Sequence, residues 1–160
     1  MTQTIHFNEI SAHTSAKESP GFLLWRVSTL WRKSIEAVLK PLGLTHPQFV
    51  VLATIGWLTR TGRRASQVEI GRQAALDPNT TSQILRGLQA KGLIERSHHM
   101  KERSKYPTLK AIGAENLAQA MSAVENADAA FFASIDLKGS AMLQTLQILA
   151  RCEFLKNEEN

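Results

Sequence analysis

Cysteine is almost missing from this chain: Cys152 is the only one in 160 residues. A lone cysteine closes no intrachain disulfide and builds no Cys-x-x-Cys redox or metal motif. It reads as a half-buried residue of a C-terminal helix, or else as a thiol sensor or one half of an intersubunit disulfide. No apolar run approaches the roughly 20 residues that cross a bilayer. Residues Met1 to Lys17 lack the cationic start and apolar block of a signal peptide. The expected location is therefore the cytoplasm, with no membrane partner. Catalytic signatures are missing too. There is no Gly-rich phosphate loop, no Gly-x-Ser-x-Gly, no His-Glu-x-x-His and no arguable pair of carboxylates. The five histidines (His6, His13, His46, His98 and His99) show no metal-ligand spacing within a helical turn, and His98-His99 reads as a strand edge. No enzyme activity, metal or cofactor is expected.

Acidic residues are also in deficit, 14 against 19 Lys and Arg, for a net charge of +5. The placement of that charge is more telling than its size. Between Arg60 and Lys110 eleven basic residues face four acidic ones, a net of +7, while the rest of the chain carries eight basic and ten acidic residues, a net of −2. Clustered charge of one sign is often only a solvated face. Where it coincides with a helix of groove-entering size it favours an anionic polymer as partner.

What is present is mostly helical periodicity. Met1 to Pro20 is polar without a clear period and reads as a loose arm, in which Ile5, Phe7 and Ile10 could pack on a partner. From Phe22 to Leu39 apolar residues recur at Leu23, Leu24, Val27, Leu30, Trp31, Ile35 and Val38, the spacing of an amphipathic helix. Pro41 and Gly43 end it. Thr45 caps the next helix, with Pro47 in its first turn and Gln48 completing a capping box. That helix, through Phe49, Val50, Leu52, Ala53, Ile55, Gly56 and Leu58, is apolar on nearly every side and belongs at the centre of the fold. Thr59 to Arg64 is a basic turn.

Ser66 and Glu69 form a second capping box, opening a helix whose Val68, Ile70 and Ala74 are expected to face inward. Asp77-Pro78-Asn79 makes a turn and an N-cap. The helix from Thr80 to Lys91 carries Ile84, Leu85 and Leu88 inward, and Gly92 closes it. Leu93 to Ser97 and Tyr106 to Leu109 are short β segments flanking a hydrophilic tip, His98 to Lys105. Ala114 to Ile135 is a long Ala-rich helix. Asp136 can cap a last one reaching Leu155.

A helix-turn-helix needs one helix that braces on the DNA backbone and a second that enters the major groove. On the second helix here Thr80, Thr81, Gln83 and Arg86 are expected to point away from the aliphatic stripe, with Ser82 between the faces. Amides pair with adenine, guanidinium with guanine, and a Thr methyl packs on thymine. The N-terminus of the helix is expected to offer free N–H groups to a phosphate. Taken alone, such a helix is equally well a solvent-exposed polar one. The adjoining hairpin changes the balance, because its tip carries Lys101, Arg103 and Lys105, placed to enter a minor groove or to pair with phosphate.

Leu44 to Gly113 resembles the MarR family of winged-helix transcription regulators. The likeness is carried by DPNTTSQILRGLQAKGLIER (Asp77 to Arg96) and ERSKYPTLKAIG (Glu102 to Gly113). It implies a fold that is mainly α with a small β-wing: a winged helix-turn-helix lobe plus long N- and C-terminal dimerisation helices. Residues 1–160 would form one domain, with the lobe at 45–110 and dimerisation helices at 20–43 and 112–156. It further implies a homodimer on a palindromic double-stranded DNA operator, commonly a repressor relieved by a small molecule. By position, Ser66 and Gln67 begin the bracing helix, Asn79 to Arg86 form the reading surface, and Arg103 matches the wing arginine. The wing departs from the family's Asp-x-Arg-Asp-x-Arg: Met100 to Lys105 holds one acid and one arginine, leaving Glu102 or Glu95 to brace its base. Lys110 stands where the family often has Thr.

Two readings complete the set. The helices outside the lobe hold more apolar surface than it can cover, which a twin subunit or an intramolecular helical layer would bury. Trp25, Trp31, His46, Phe49 and Trp57 are candidate liners of a pocket for a small aromatic effector, though aromatics at helical spacing also read as plain core. The rival function is a winged-helix protein–protein adaptor without DNA binding. It would expose apolar groups on the second helix rather than Thr, Gln and Arg.

Overall fold

The computed structural model describes residues 6–97, 106–135 and 141–150. The order of elements is α1 (Phe7–Ile10), α2 (Pro20–Leu39), α3 (His46–Thr59), α4 (Gln67–Gln73), α5 (Pro78–Ala90), β1 (Ile94–Ser97), β2 (Tyr106–Leu109), α6 (Ala111–Phe131) and α7 (Ala141–Leu149). The fold is mainly helical with a small antiparallel sheet, as expected from the sequence. The hairpin tip from His98 to Lys105, the Asp136 cap and Cys152 lie outside the described residues.

Local chemistry sets most of the boundaries. Ser19 caps α2 through Phe22 N, and Pro20 occupies the first turn, where its missing N–H costs nothing. The sequence reading began this helix two residues late. Both expected capping boxes are formed, Thr45 with Gln48 and Ser66 with Glu69; such a cap contributes ~1 kcal/mol. Gly43 closes the 3₁₀ turn Lys40–Leu42 that follows α2, and Gly92 follows the end of α5, with φ of 68° and 72°. In each case the next residue reaches back, Leu44 N to Leu39 O at 3.3 Å and Leu93 N to Leu88 O at 3.1 Å. The arm before α2 is less loose than expected: α1 and a 3₁₀ turn at Ala16–Glu18 form there.

α3 is the central element. Phe49, Val51, Leu52, Thr54, Ile55 and Leu58 are all buried, and around them pack Ile35 and Leu39 of α2, Ile70 of α4, Leu85 and Leu88 of α5, and Ala120 and Val124 of α6. Each fully buried aliphatic side chain contributes roughly 1.5–3 kcal/mol. β1 and β2 pair antiparallel with Ile94 opposite Leu109 and Arg96 opposite Pro107. β2 runs straight into α6, which starts at Ala111 rather than the expected Ala114. Lys110 N donates to Leu93 O at 3.0 Å, and Gly113 lies so close that a Cβ there would fall 1.9 Å from that carbonyl oxygen. This backbone contact locks the hairpin to the long helix.

One expectation for α4 is corrected. Val68 is 67% exposed, not inward. It sits two positions from buried Ile70, about 200° around a helix, and the buried side of this short helix belongs to Ile70 and Gly71.

Candidate nucleic-acid interface and effector cavities

α4 and α5 meet through a tight turn. Ala75 takes a left-handed φ of 53°, and Leu76 N returns to Gly71 O at 2.8 Å. A non-glycine residue in this conformation costs about 1–2 kcal/mol, which the packing of the two helices offsets. The contact between them is close: a Cβ on Gly71 would lie 2.7 Å from Thr81 Oγ1. Thr81 is fully buried, and its hydroxyl donates to Asp77 O at 2.8 Å.

Thr81 therefore does not point outward as the sequence reading placed it. Positions 81, 85 and 88 form one helical stripe, spaced by four and three, and all three are buried. The exposed stripe with the same spacing is Asn79, Gln83, Arg86 and Ala90. Ser82 and Thr80 are half-buried at its edge. Arg86 Nε donates to Ser82 O at 3.3 Å, which lays the guanidinium along its own helix.

A second correction concerns the N-terminus of α5. Asp77 Oδ1 accepts from Asn79 N and Thr80 N, both at 2.9 Å. Thr81 N donates to Asp77 O at 3.0 Å, and Pro78 has no N–H. Thr80 Oγ1 adds a bond to Asp77 Oδ2 at 2.5 Å. This last bond, with the two backbone ones, holds the exposed Asp77 carboxyl below its ordinary pKa. The first turn is occupied by a carboxylate and offers no free N–H to a phosphate.

Ser66 and Gln67 at the start of α4 have internal partners. Ser66 Oγ accepts from Glu69 N at 3.3 Å while Glu69 Oε2 accepts from Ser66 N at 2.7 Å. The backbone bond from Ser66, ahead of the hydrogen bonds from Ser66 Oγ and Arg63, lowers the Glu69 pKa. Gln67 Oε1 accepts from Arg96 Nη2 at 2.9 Å. Arg96, on β1, was not singled out from the sequence, yet it joins the hairpin to α4. Its Nε is buried without a hydrogen bond; burial, then the neighbouring Arg86 cation, push its pKa down. Other basic residues between Arg60 and Lys110 are likewise committed within the fold: Arg60 Nη1 donates to Trp57 O at 2.6 Å, Arg63 pairs with Glu69 at 3.1 Å, and Lys91 Nζ donates to Gly43 O and Gln48 Oε1 at 2.5 and 2.6 Å. Lys101, Arg103 and Lys105 lie outside the described residues.

The five aromatic candidates separate. Phe49 and Trp57 border an open groove of about 840 Å³ beside Arg60, Leu117 and Met121, which reaches Ala75 in the turn between α4 and α5. Trp31 borders a smaller cavity of about 330 Å³ between α2, α6 and α7. His46 meets Trp31 edge-on, with ring centroids 5.0 Å apart. Its pKa is lowered, chiefly by burial, with opposing pulls from Glu36 and Asp128 and a further push down from Arg32. Trp25 borders neither cavity and is 67% exposed. A residue missed from the sequence, Asp128, borders both cavities and accepts from Trp31 Nε1 at 2.7 Å.

Residues 44–103 match the sequence model of the MarR family. The uncharacterized HTH-type transcriptional regulator YdcH of Bacillus subtilis (strain 168) is 33% identical over 149 residues, covering 92% of this chain and 97% of that protein. The chain belongs to the MarR family. Solved MarR-family structures agree in fold. A MarR-family transcriptional regulator from Rhodococcus sp. RHA1 superposes with a TM-score of 0.76 at 24% identity, covering 86% of this chain and 96% of that one. Mycobacterium tuberculosis Rv2887 in complex with DNA gives a TM-score of 0.60 at 27% identity, with coverage of 84% and 98%. Among the described residues of this MarR-family chain, no helix is long and apolar enough to cross a membrane.

Proposed function

We propose that this chain is a ligand-responsive transcriptional repressor that binds a palindromic duplex operator as a homodimer. The observation that carries the reading is the stripe of Asn79, Gln83 and Arg86 on α5, exposed and polar, on a helix whose opposite side is fixed by buried Thr81, Leu85 and Leu88. Amide and guanidinium groups on a rigid helix read base edges in the major groove. A winged-helix adaptor would need apolar groups at those positions, and they are absent from that stripe apart from Ala90. The reading surface is thus Asn79, Thr80, Ser82, Gln83 and Arg86, with Ser66 and Gln67 on the bracing helix and Lys101, Arg103 and Lys105 on the wing. Thr81 supports the surface from behind.

The dimer reading rests on apolar surface. Leu24, Trp25, Ile148 and Leu149 are 59–75% exposed on α2 and α7. Helices at 20–43 and 112–156 would bury this surface against a twin, setting the two lobes (45–110) about 34–36 Å apart, one turn of B-DNA. The effector reading rests on the two cavities, with Trp31, Phe49 and Trp57 in their walls. The relative Rv2887 has been crystallised with DNA and with salicylic acid. An occupant of the larger groove would touch the Ala75 turn and so bear on how α5 is held.

Fluorescence anisotropy with a labelled duplex over a salt series tests the central claim. Affinity should fall steeply as salt rises, because bound counterions are released from the DNA. A purified dimer that ignores every duplex at low ionic strength would overturn it.

A further inference from the structure

The smaller cavity has no part in reading DNA. Leu24, Val27, Trp31, Phe132, Met142 and Leu146 form its walls, and its polar lining comes from Ser28 and Asp128. The Ser28 hydroxyl is committed to Trp25 O at 3.0 Å. Asp128 is half-buried and accepts from the neutral indole of Trp31. Among the described residues no lysine or arginine borders this cavity. The ion pairs among the described residues, Arg32 with Glu36 and Arg63 with Glu69, leave Asp128 out. His46, which meets Trp31 edge-on, is held toward its neutral form chiefly by burial, against an opposing pull from Asp128 itself. Among the described residues the cavity is thus an apolar chamber with one carboxylate and no lysine or arginine beside it.

A carboxylate among apolar walls has lost part of its hydration, and a cationic occupant restores the missing charge interaction. The aromatic rings of Trp31 and Phe132 in the walls can add a cation–π attraction. An aromatic acid would instead put a second negative charge into the same chamber. We infer that the cavity takes a small aromatic cation, a protonated arylalkylamine, with Asp128 as its counter-ion. The inference rests on the effector reading above and supplies the charge of the ligand. The larger groove gives no such choice of sign, since Arg60, Glu125 and Asp128 all border it. Because Asp128 faces both, a cation bound at its carboxylate also competes for the group that Trp31 holds.

The test uses full-length protein at neutral pH and two ions of similar skeleton and opposite charge, phenethylammonium and 3-phenylpropanoate, titrated calorimetrically. Release of a labelled duplex is followed in parallel. The cation should bind at least about tenfold tighter than the anion. Asp128→Asn should remove that preference. Trp31→Phe keeps the carboxylate and should keep the preference, so a folding defect in one variant does not decide the matter. Equal binding of the two ions, tighter binding of the anion, or an undiminished preference in Asp128→Asn overturns the assignment. Binding of salicylate with no binding of phenethylammonium also overturns it, while leaving the effector reading intact. If no aromatic ion binds or releases the duplex, the effector reading fails with it.

Discussion

Gly71 and Thr81 are in contact across the helix-turn-helix: the Thr81 hydroxyl oxygen stands 2.7 Å from where a Cβ on Gly71 would be. The oxygen cannot retreat easily, because it is buried, sits on a β-branched side chain and is bonded to Asp77 O at 2.8 Å. Nor can the helix slide, since Leu76 O lies 3.3 Å from the same point. The angle at which α5 is presented depends on this absence of a side chain.

Gly71→Ala should therefore destabilise the lobe by about 1–3 kcal/mol through overpacking, despite the better helix propensity of alanine. Thermal unfolding followed by circular dichroism reads the loss directly. An unchanged or raised Tm would contradict the contact.

Arg86 and Thr81 should behave oppositely when replaced. Arg86→Ala removes an exposed guanidinium, so duplex preference should relax and affinity fall by ~1–3 kcal/mol, with stability unchanged. Thr81→Ala removes a buried hydroxyl and methyl, so Tm should drop while the preferred sequence stays the same. Selection of bound fragments from a random duplex pool separates the two effects.

Arg96→Met should loosen the hairpin from α4. The bond to Gln67 is half-exposed, so its loss should cost only roughly 1 kcal/mol of stability. DNA affinity should fall for all sequences alike, because the bracing helix and the wing lose their common tie. A change confined to one operator position would instead make Arg96 a base reader.

His46 gives the lobe a pH dependence. Its pKa in the fold lies below the ordinary 6.5, mainly from burial. The unfolded chain then binds the proton more readily, so stability is full above the unfolded pKa and declines as pH falls through it toward the folded value. Urea midpoints should drop between neutral pH and about pH 5.5, and His46→Asn should flatten that segment of the curve. A midpoint that rises on acidification would reverse the sign of the shift.

Much of the fold was legible before any coordinates. Thr45 with Gln48 and Ser66 with Glu69 are capping boxes readable at a spacing of three, and Gly92 marks a helix end, because the groups involved are neighbours in sequence. The burial of Thr81 was legible too, had positions 81, 85 and 88 been read as one stripe. Residue type misled there, since threonine suits a DNA-facing surface and also a close helix crossing. The exposed Val68 is the same error inverted, an apolar residue assigned inward on type rather than angle. Nothing in the sequence marked Asp128, which stands among unrelated residues of an Ala-rich helix.

By itself the sequence determined where helices begin and stop, which of them is central, and where positive charge gathers, since each of these follows from spacing within a few residues. The tertiary structure alone decided which polar groups remain available. Trp31 and Asp128 are 97 residues apart in the chain and 2.7 Å apart in space; Arg96 and Gln67 are separated by 29 residues. Whether a donor is spent inside the protein or left for a ligand depends on what the packing of α2, α4, β1 and α6 brings beside it, and sequence distance carries no record of that.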